Sequence, residues 1–151
     1  MDDDAVMAVF QENVGSLLDE FDVPPPSFRS MQGAFLSIDP DAGVLQTRFP
    51  ILPGQLNPYG AMQGGMIAAA IDNTIGPLSM LYDPPNVTRR MEIKYSKPVT
   101  SEMKQIFVEA RLLERKGSWI HFRADVRSAE GTLLARCFSK HWVLGPSRDE
   151  G

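Results

Sequence analysis

Cysteine occurs once in the 151 residues, as Cys137. A single thiol excludes an intrachain disulfide, and its place inside an alternating apolar pattern predicts burial as a small hydrophobe in a reducing compartment. Histidine is nearly as scarce, with His121 and His141 alone; no Cys/His pair has zinc-ligand spacing, so no metal and no other cofactor is expected. Ser79, Ser96 and Ser118 lack a Gly-x-Ser-x-Gly surround, which excludes a serine-hydrolase elbow. Lys and Arg form no run, and 15 of them against 19 acidic residues give a net charge of −4. That balance carries neither the electrostatic footprint of a nucleic-acid partner nor an attraction to anionic lipid. The one long low-charge stretch, 49–82, is broken by Pro53, Gly54, Asn57, Pro58, Gly64, Gly65 and Asp72, so no membrane span is expected. An opening of Met1-Asp2-Asp3-Asp4 has the wrong charge for a secretory or transit signal and predicts a cytoplasmic protein.

What is present is ordinary globular material: 43% hydrophobic and 23% charged residues. A chain of this length buries roughly two thirds of its unfolded surface, enough for one domain over 1–151. Val6, Val9, Phe10, Val14, Leu17, Leu18 and Phe21 recur every three or four residues and predict an amphipathic helix over 5–21. Pro24-Pro25-Pro26 forbids its continuation, so residues 1–26 form an N-terminal helix and a Pro-rich connection. Ala34 to Ile38 and Val44 to Ile51 read as a hairpin around Asp39-Pro40-Asp41-Ala42-Gly43. From Gly65 the chain is helix-forming and apolar on nearly every side, which predicts a helix wrapped by other structure. After Pro84-Pro85 the period becomes two, giving four strands: 88–97, 105–114, 119–127 and 133–144. Ile106, Val108, Ala110 and Leu112 share one face, as do Ile120, Phe122, Ala124 and Val126. The fold class is α+β, a long central helix against an antiparallel sheet, with the core at 33–144 and a tail at 146–151 expected to fray.

Between Phe49 and Tyr82 the single charged side chain is Asp72, set in the apolar helix. A carboxylate there shifts its pKa, finds donors or faces a cavity; alternatively it reaches solvent through a gap or pairs with Arg89 or Arg90. Upstream, the loop Asn57-Pro58-Tyr59-Gly60-Ala61-Met62-Gln63-Gly64-Gly65 feeds directly into the helix. Glycine lets a ligand approach the backbone, and the unpaired N–H groups of a first helical turn favour an oxygen gaining negative charge. Read without any relative, the loop is either an oxyanion site or a Gly-rich helix entry.

Asn57-x-x-Gly60-x-x-Gln63-Gly64-Gly65 followed by Asp72 resembles the active-site motif of hotdog-fold acyl-CoA thioesterases of the phenylacetate-pathway (PaaI-like) type. Val87 to Val99 resembles that family's strand entering an aromatic-x-x-Pro turn, and the likeness runs from about Gly33 to Leu144. It implies a hotdog fold, a curved sheet around a long helix, with dimers or dimers of dimers that share sites between subunits. It further implies hydrolysis of an acyl-CoA, with Asp72 as general base or nucleophile, the Gly65 N–H polarising the carbonyl, and Asn57 and Gln63 orienting carbonyl or water. Gly64, Thr88, Arg89 and Arg90 are the candidates for substrate binding; Thr88 matches a Ser/Thr position in some relatives and is also a candidate to hold the water, and Arg89, Arg90, Lys94, Arg111, Arg115 and Lys116 are all available to CoA phosphates.

At Gln63 the family usually carries His. Gln donates a hydrogen bond but does not titrate near neutrality, so a pH–rate profile without a histidine limb is expected. That change also keeps open a binding protein that holds an acyl thioester or lipid-like ligand without turnover. A dehydratase of the same fold needs an acid–base pair around the helix and ranks last.

Overall fold

The computed structural model describes residues 1–145; the tail expected at 146–151 lies outside the described residues. Its elements are α1 (Asp3–Val14), α2 (Pro26–Ser30), β1 (Ala34–Asp39), β2 (Val44–Pro50), α3 (Gly64–Ser79), β3 (Asn86–Tyr95), β4 (Gln105–Lys116), β5 (Trp119–Arg127) and β6 (Leu133–Val143). Every strand pairing is antiparallel, in the order β1-β2-β4-β5-β6-β3. The period-two reading therefore gave the strands to within a few residues. It could not give the order, in which β3 skips β4 and pairs with β6.

The expected helix over 5–21 is shorter. The Asp2 side chain caps α1 by accepting from the Ala5 N–H at 2.9 Å, and α1 stops at Val14 because Gly15 takes φ +59°. Residues Gly15–Asp19 continue as a 3-10 turn. Val6, Phe10 and Val14 are buried, and Phe10 meets Phe35 at 5.8 Å between ring centres. Phe28 stacks on Phe35 at 4.6 Å and meets Phe49 edge-on at 5.3 Å. Gly33 is required there, since a Cβ would lie 2.7–2.9 Å from the Phe49 and Phe28 rings.

α3 packs on β2, β3, β4 and β5, and a buried Thr47–Thr74 hydroxyl pair at 2.8 Å pins it to the sheet. Ile67, Ala70, Ile71, Ile75 and Leu78 face that sheet and are buried, as are Ile106, Val108, Ala110, Ile120, Phe122, Ala124 and Val126 opposite them. The sheet wraps the helix as expected, while Gln63, Gly65 and Asp72 stay exposed. A single sheet covers one side of a helix; the N-terminal connection flanks the second half of α3, and among the described residues those three remain open. β3 is similarly open. It is an edge strand, exposed at Val87–Arg90 and again at Glu92, Lys94 and Tyr95.

The outward face of the sheet mixes charged side chains with the exposed Trp119 and Phe138. Asp125 lies there among Arg136 (2.7 Å), Arg127 (3.6 Å) and Arg123 (3.7 Å). Burial pushes its carboxyl up, but the three guanidinium groups outweigh that and hold it below its ordinary value. Cys137 is buried as expected, and burial pushes its thiol up to about 11, so it stays protonated and unreactive. Trp119 and Trp142 pack edge-on at 4.7 Å, a structural pair.

Candidate functional site

The loop before α3 is built by backbone pairing and one side chain. Asn57 N–H donates to Ala61 O (2.7 Å), Met62 N–H to Val99 O (2.7 Å) and Gln63 N–H to Gln55 O (2.8 Å). The Asn57 Oδ1 accepts from Tyr59 N–H (2.9 Å) and Ala61 N–H (3.1 Å), and Gly60 makes the turn at φ +80°. This arrangement spends the acceptor of Asn57 on its own loop and leaves its Nδ2 amide as the donor available to a ligand. Gln63 sits at the N-cap of α3 in extended backbone, and no side chain caps this helix end. The first-turn N–H groups of Gly64 and Gly65 thus keep the donor capacity intrinsic to a helix start.

Neither glycine is forced by the chain's own packing. A Cβ on Gly65 would meet nothing within 4 Å, and one on Gly64 would touch the Tyr95 ring at an ordinary 3.4 Å. Glycine inside a helix costs about 0.5–1 kcal/mol relative to alanine, so the bare backbone at Gly65 has no internal structural benefit to set against that cost. Asn57, Ala61, Met62, Gly64 and Ile67 line one side of a cavity of about 330 Å³, closed on the other by Tyr95 to Val99. Tyr95 donates its hydroxyl to Gly64 O at 2.8 Å.

Asp72 lies two turns further along α3 and lines a different cavity, of about 260 Å³. Of the alternatives open from sequence, it reaches solvent, faces a cavity and finds a donor. That donor is the Thr88 hydroxyl at 3.0 Å, and among the described residues neither Arg89 nor Arg90 pairs with it. Arg90 lies 3.9 Å from Glu92, and Arg89 lies over the Trp142 ring. Arg111 pairs with Glu109, and Arg115 with Asp83 while its guanidinium covers Tyr82, which commits two of the other basic residues. Lys97, which sequence reasoning passed over, lines the cavity beside Asn57.

His141 is the larger omission. It lies far along the chain, but the β3–β6 register sets it opposite Thr88. Its Nε2 is 3.1 Å from Thr88 Oγ1 and its Nδ1 is 2.8 Å from Asn86 Oδ1. Asn86 donates both amide hydrogens, to Ser79 O (3.0 Å) and Tyr82 O (2.9 Å). Its Oδ1 therefore faces His141, which assigns the imidazole proton to Nδ1. His141 is 2% exposed, and burial pushes its pKa below the ordinary value, against the opposing pull of the Asp72 charge. Phe122, edge-on at 5.1 Å, supplies part of that apolar surround.

The family model described as the thioesterase superfamily matches residues 59–135. The chain belongs to the thioesterase superfamily. No curated protein matches this thioesterase-superfamily chain in sequence. Its fold is that of several solved structures. A phenylacetic acid degradation-related protein of Ralstonia eutropha JMP134 is 22% identical at TM-score 0.74, with 87% of this chain and 99% of the other covered. The PaaI protein of the E. coli phenylacetic acid degradation operon is 11% identical at TM-score 0.77, with 94% and 98% covered. A hypothetical thioesterase protein of Streptococcus pneumoniae TIGR4, solved with coenzyme A, is 15% identical at TM-score 0.73, with 85% and 98% covered. The architecture is thus the PaaI-like hotdog fold expected from the Asn57–Asp72 motif.

Proposed function

We propose that this member of the thioesterase superfamily hydrolyses acyl-CoA thioesters, with Asp72 as general base and the Gly65 end of α3 as the oxyanion site. The observation that carries this reading is the Asp72–Thr88–His141–Asn86 chain. Thr88 has one hydroxyl proton and two acceptors, Asp72 Oδ1 and His141 Nε2. With His141 neutral and Asp72 ionised, one of those two contacts lacks a proton. Thr88 donates to Asp72 Oδ1 and so ties the orientation of that carboxylate to the imidazole that Asn86 holds.

Water loses its proton to Asp72 as its oxygen bonds to the thioester carbon, and the carbonyl electron pair moves onto oxygen. The Gly65 N–H, the Asn57 amide and Gln63 stabilise that oxyanion. Collapse breaks the C–S bond, and the proton held by Asp72 passes to the departing thiolate, leaving free acid and free thiol. Thr88 and His141 are positioning residues in this scheme. Gly64, Arg89 and Arg90, with Lys97, border the route available to CoA.

The working unit is at least a dimer. Gly65 and Asp72 are about 10 Å apart along one helix, and the cavity that Asn57 and Gly64 line is not the one Asp72 lines. A base and an oxyanion donor must both come within about 3 Å of the reacting atoms. A two-fold partner can set its Asp72 opposite Gly65, covering the open face of α3 and the edge of β3. Residence in the cytoplasm belongs to the same reading; no described helix is long and apolar enough to cross a membrane.

The test is release of free thiol from a panel of short, long and aryl acyl-CoA substrates. Wild type is expected to turn over at least one class, and Asp72→Asn to lose at least 100-fold in kcat with little change in stability, because the side chain is exposed. Binding of the same thioesters without any turnover would support the ligand-binding alternative that Gln63 keeps open.

A further inference from the structure

The cavity beside Asp72 is walled by the N-terminal connection and the second half of α3: Phe21, Val23 and Pro25 on one side, Gly76, Pro77 and Met80 on the other. Its polar members are engaged elsewhere. Asp22 pairs with Arg29. Asn73 accepts from the Ser27 hydroxyl at 2.9 Å and donates toward the Met31 sulfur at 3.5 Å. Pro77 has no N–H to present. The result is an apolar chamber with a single carboxylate, Asp72, not committed to a cation at its border. Gly76 is one turn beyond Asp72 on the same face of α3, and a Cβ there would meet nothing within 4 Å. Without a side chain, Gly76 leaves this space empty, and it also spares the helix the crowding that a Cβ meets before Pro77.

We propose that this chamber receives the acyl group of the thioester, so that the segment at residues 21–25 sets the acyl specificity and the substrates are aryl or medium-chain acyl thioesters. The inference rests on the hydrolytic reading above. The scissile carbon must lie near Asp72, and the acyl group leaving it has this chamber as its apolar neighbour. From Asp72 to Ser79 the helix advances about 10 Å. An apolar protein cavity of about 150 Å³ accepts benzene, so about 260 Å³ takes a ring or a chain of several methylenes. The product carboxylate would sit beside Asp72, and like-charge repulsion would favour its release.

The experiment measures kcat/KM for acetyl-, hexanoyl-, decanoyl- and benzoyl-CoA with wild type, Gly76→Leu and Phe21→Ala, folding being checked by thermal melting. Gly76→Leu projects a side chain into the chamber and gains helix propensity against some crowding by Pro77; Phe21→Ala alters the opposite wall without touching that helix. In wild type, kcat/KM should rise about fourfold per methylene until the chamber is full. Gly76→Leu should lower the decanoyl-to-acetyl ratio at least tenfold, and Phe21→Ala should shift the optimum to longer chains. Ratios unchanged in both variants overturn the acyl chamber while leaving hydrolysis intact. If no thioester is turned over, hydrolysis fails separately, and calorimetry with S-hexyl- and S-decyl-CoA thioethers decides the chamber. Affinity that rises with chain length and is lost in Gly76→Leu upholds it; length-independent affinity overturns it.

Discussion

Thr88→Val tests the link between the exposed carboxylate and the buried imidazole. It keeps the branched shape of the side chain and deletes the hydroxyl that lies 3.0 Å from Asp72 Oδ1 and 3.1 Å from His141 Nε2. The stability term follows from His141, which is 2% exposed and loses its Nε2 partner. An unsatisfied buried polar group costs about 1–3 kcal/mol, and at about 2–4 °C per kcal/mol for a chain of this size the melting temperature should fall by roughly 2–12 °C. The catalytic term follows from Asp72, which loses its only hydrogen-bond donor among the described residues and its fixed orientation. We expect kcat to fall about 10- to 100-fold, equivalent to about 1.4–2.7 kcal/mol of barrier, with KM nearly unchanged because Thr88 acts on the base and not on the CoA. Thr88→Ser restores the hydroxyl and should recover most of the rate. Steady-state thiol release and thermal melting on the three proteins are sufficient. A Thr88→Val enzyme that melts lower and keeps wild-type kcat, or a Thr88→Ser enzyme as slow as Thr88→Val, would refute the relay and leave Thr88 a structural residue.

Gln63→Ala should cost about 10- to 1,000-fold in kcat, the scale of one lost oxyanion or positioning donor; an unchanged rate removes Gln63 from the site. Asn57→Asp keeps the Oδ1 acceptor that holds Tyr59 N–H and Ala61 N–H but replaces the amide donor by a carboxylate oxygen. It should be folded and inactive. Mixed with Asp72→Asn under subunit exchange, it should regain about half the activity per heterodimer, since one of two shared sites would carry neither lesion; no recovery despite verified exchange places the whole site in one chain. His141 has its pKa lowered by burial, so the unfolded chain binds its proton first as pH falls. Its contribution to stability is complete above about pH 6.5 and declines as pH drops toward the lower folded value. Melting temperature against pH should show that decline in wild type and lose it in His141→Gln; a variant with the same decline assigns it to other groups.

What the sequence determined by itself is what short-range chemistry decides. Alternating apolar residues at 106–112 and 120–126 state which face of a strand is buried, because successive side chains point to opposite sides whatever the partner strand. The loop from Asn57 to Gly65 was legible for the same reason, since glycine, Asx-turn chemistry and a helix start are local features. Local reasoning overran at residues 15–21, where apolar spacing continues but Gly15 takes a left-handed conformation and ends α1. The tertiary structure alone decided everything that depends on register. His141 reaches Thr88 across a separation of 53 residues, and Asn86 orients the imidazole across 55. The chamber beside Asp72 is walled in part by Phe21, Val23 and Pro25, which sequence assigned to the end of a helix and to a connection. Asp72 itself was found from its isolation in an apolar stretch, whereas its exposure depends on which side of α3 the sheet covers. Strand order and the packing of the Pro-rich segment are set by burial of surfaces distant in the chain, and no periodicity within a dozen residues encodes them.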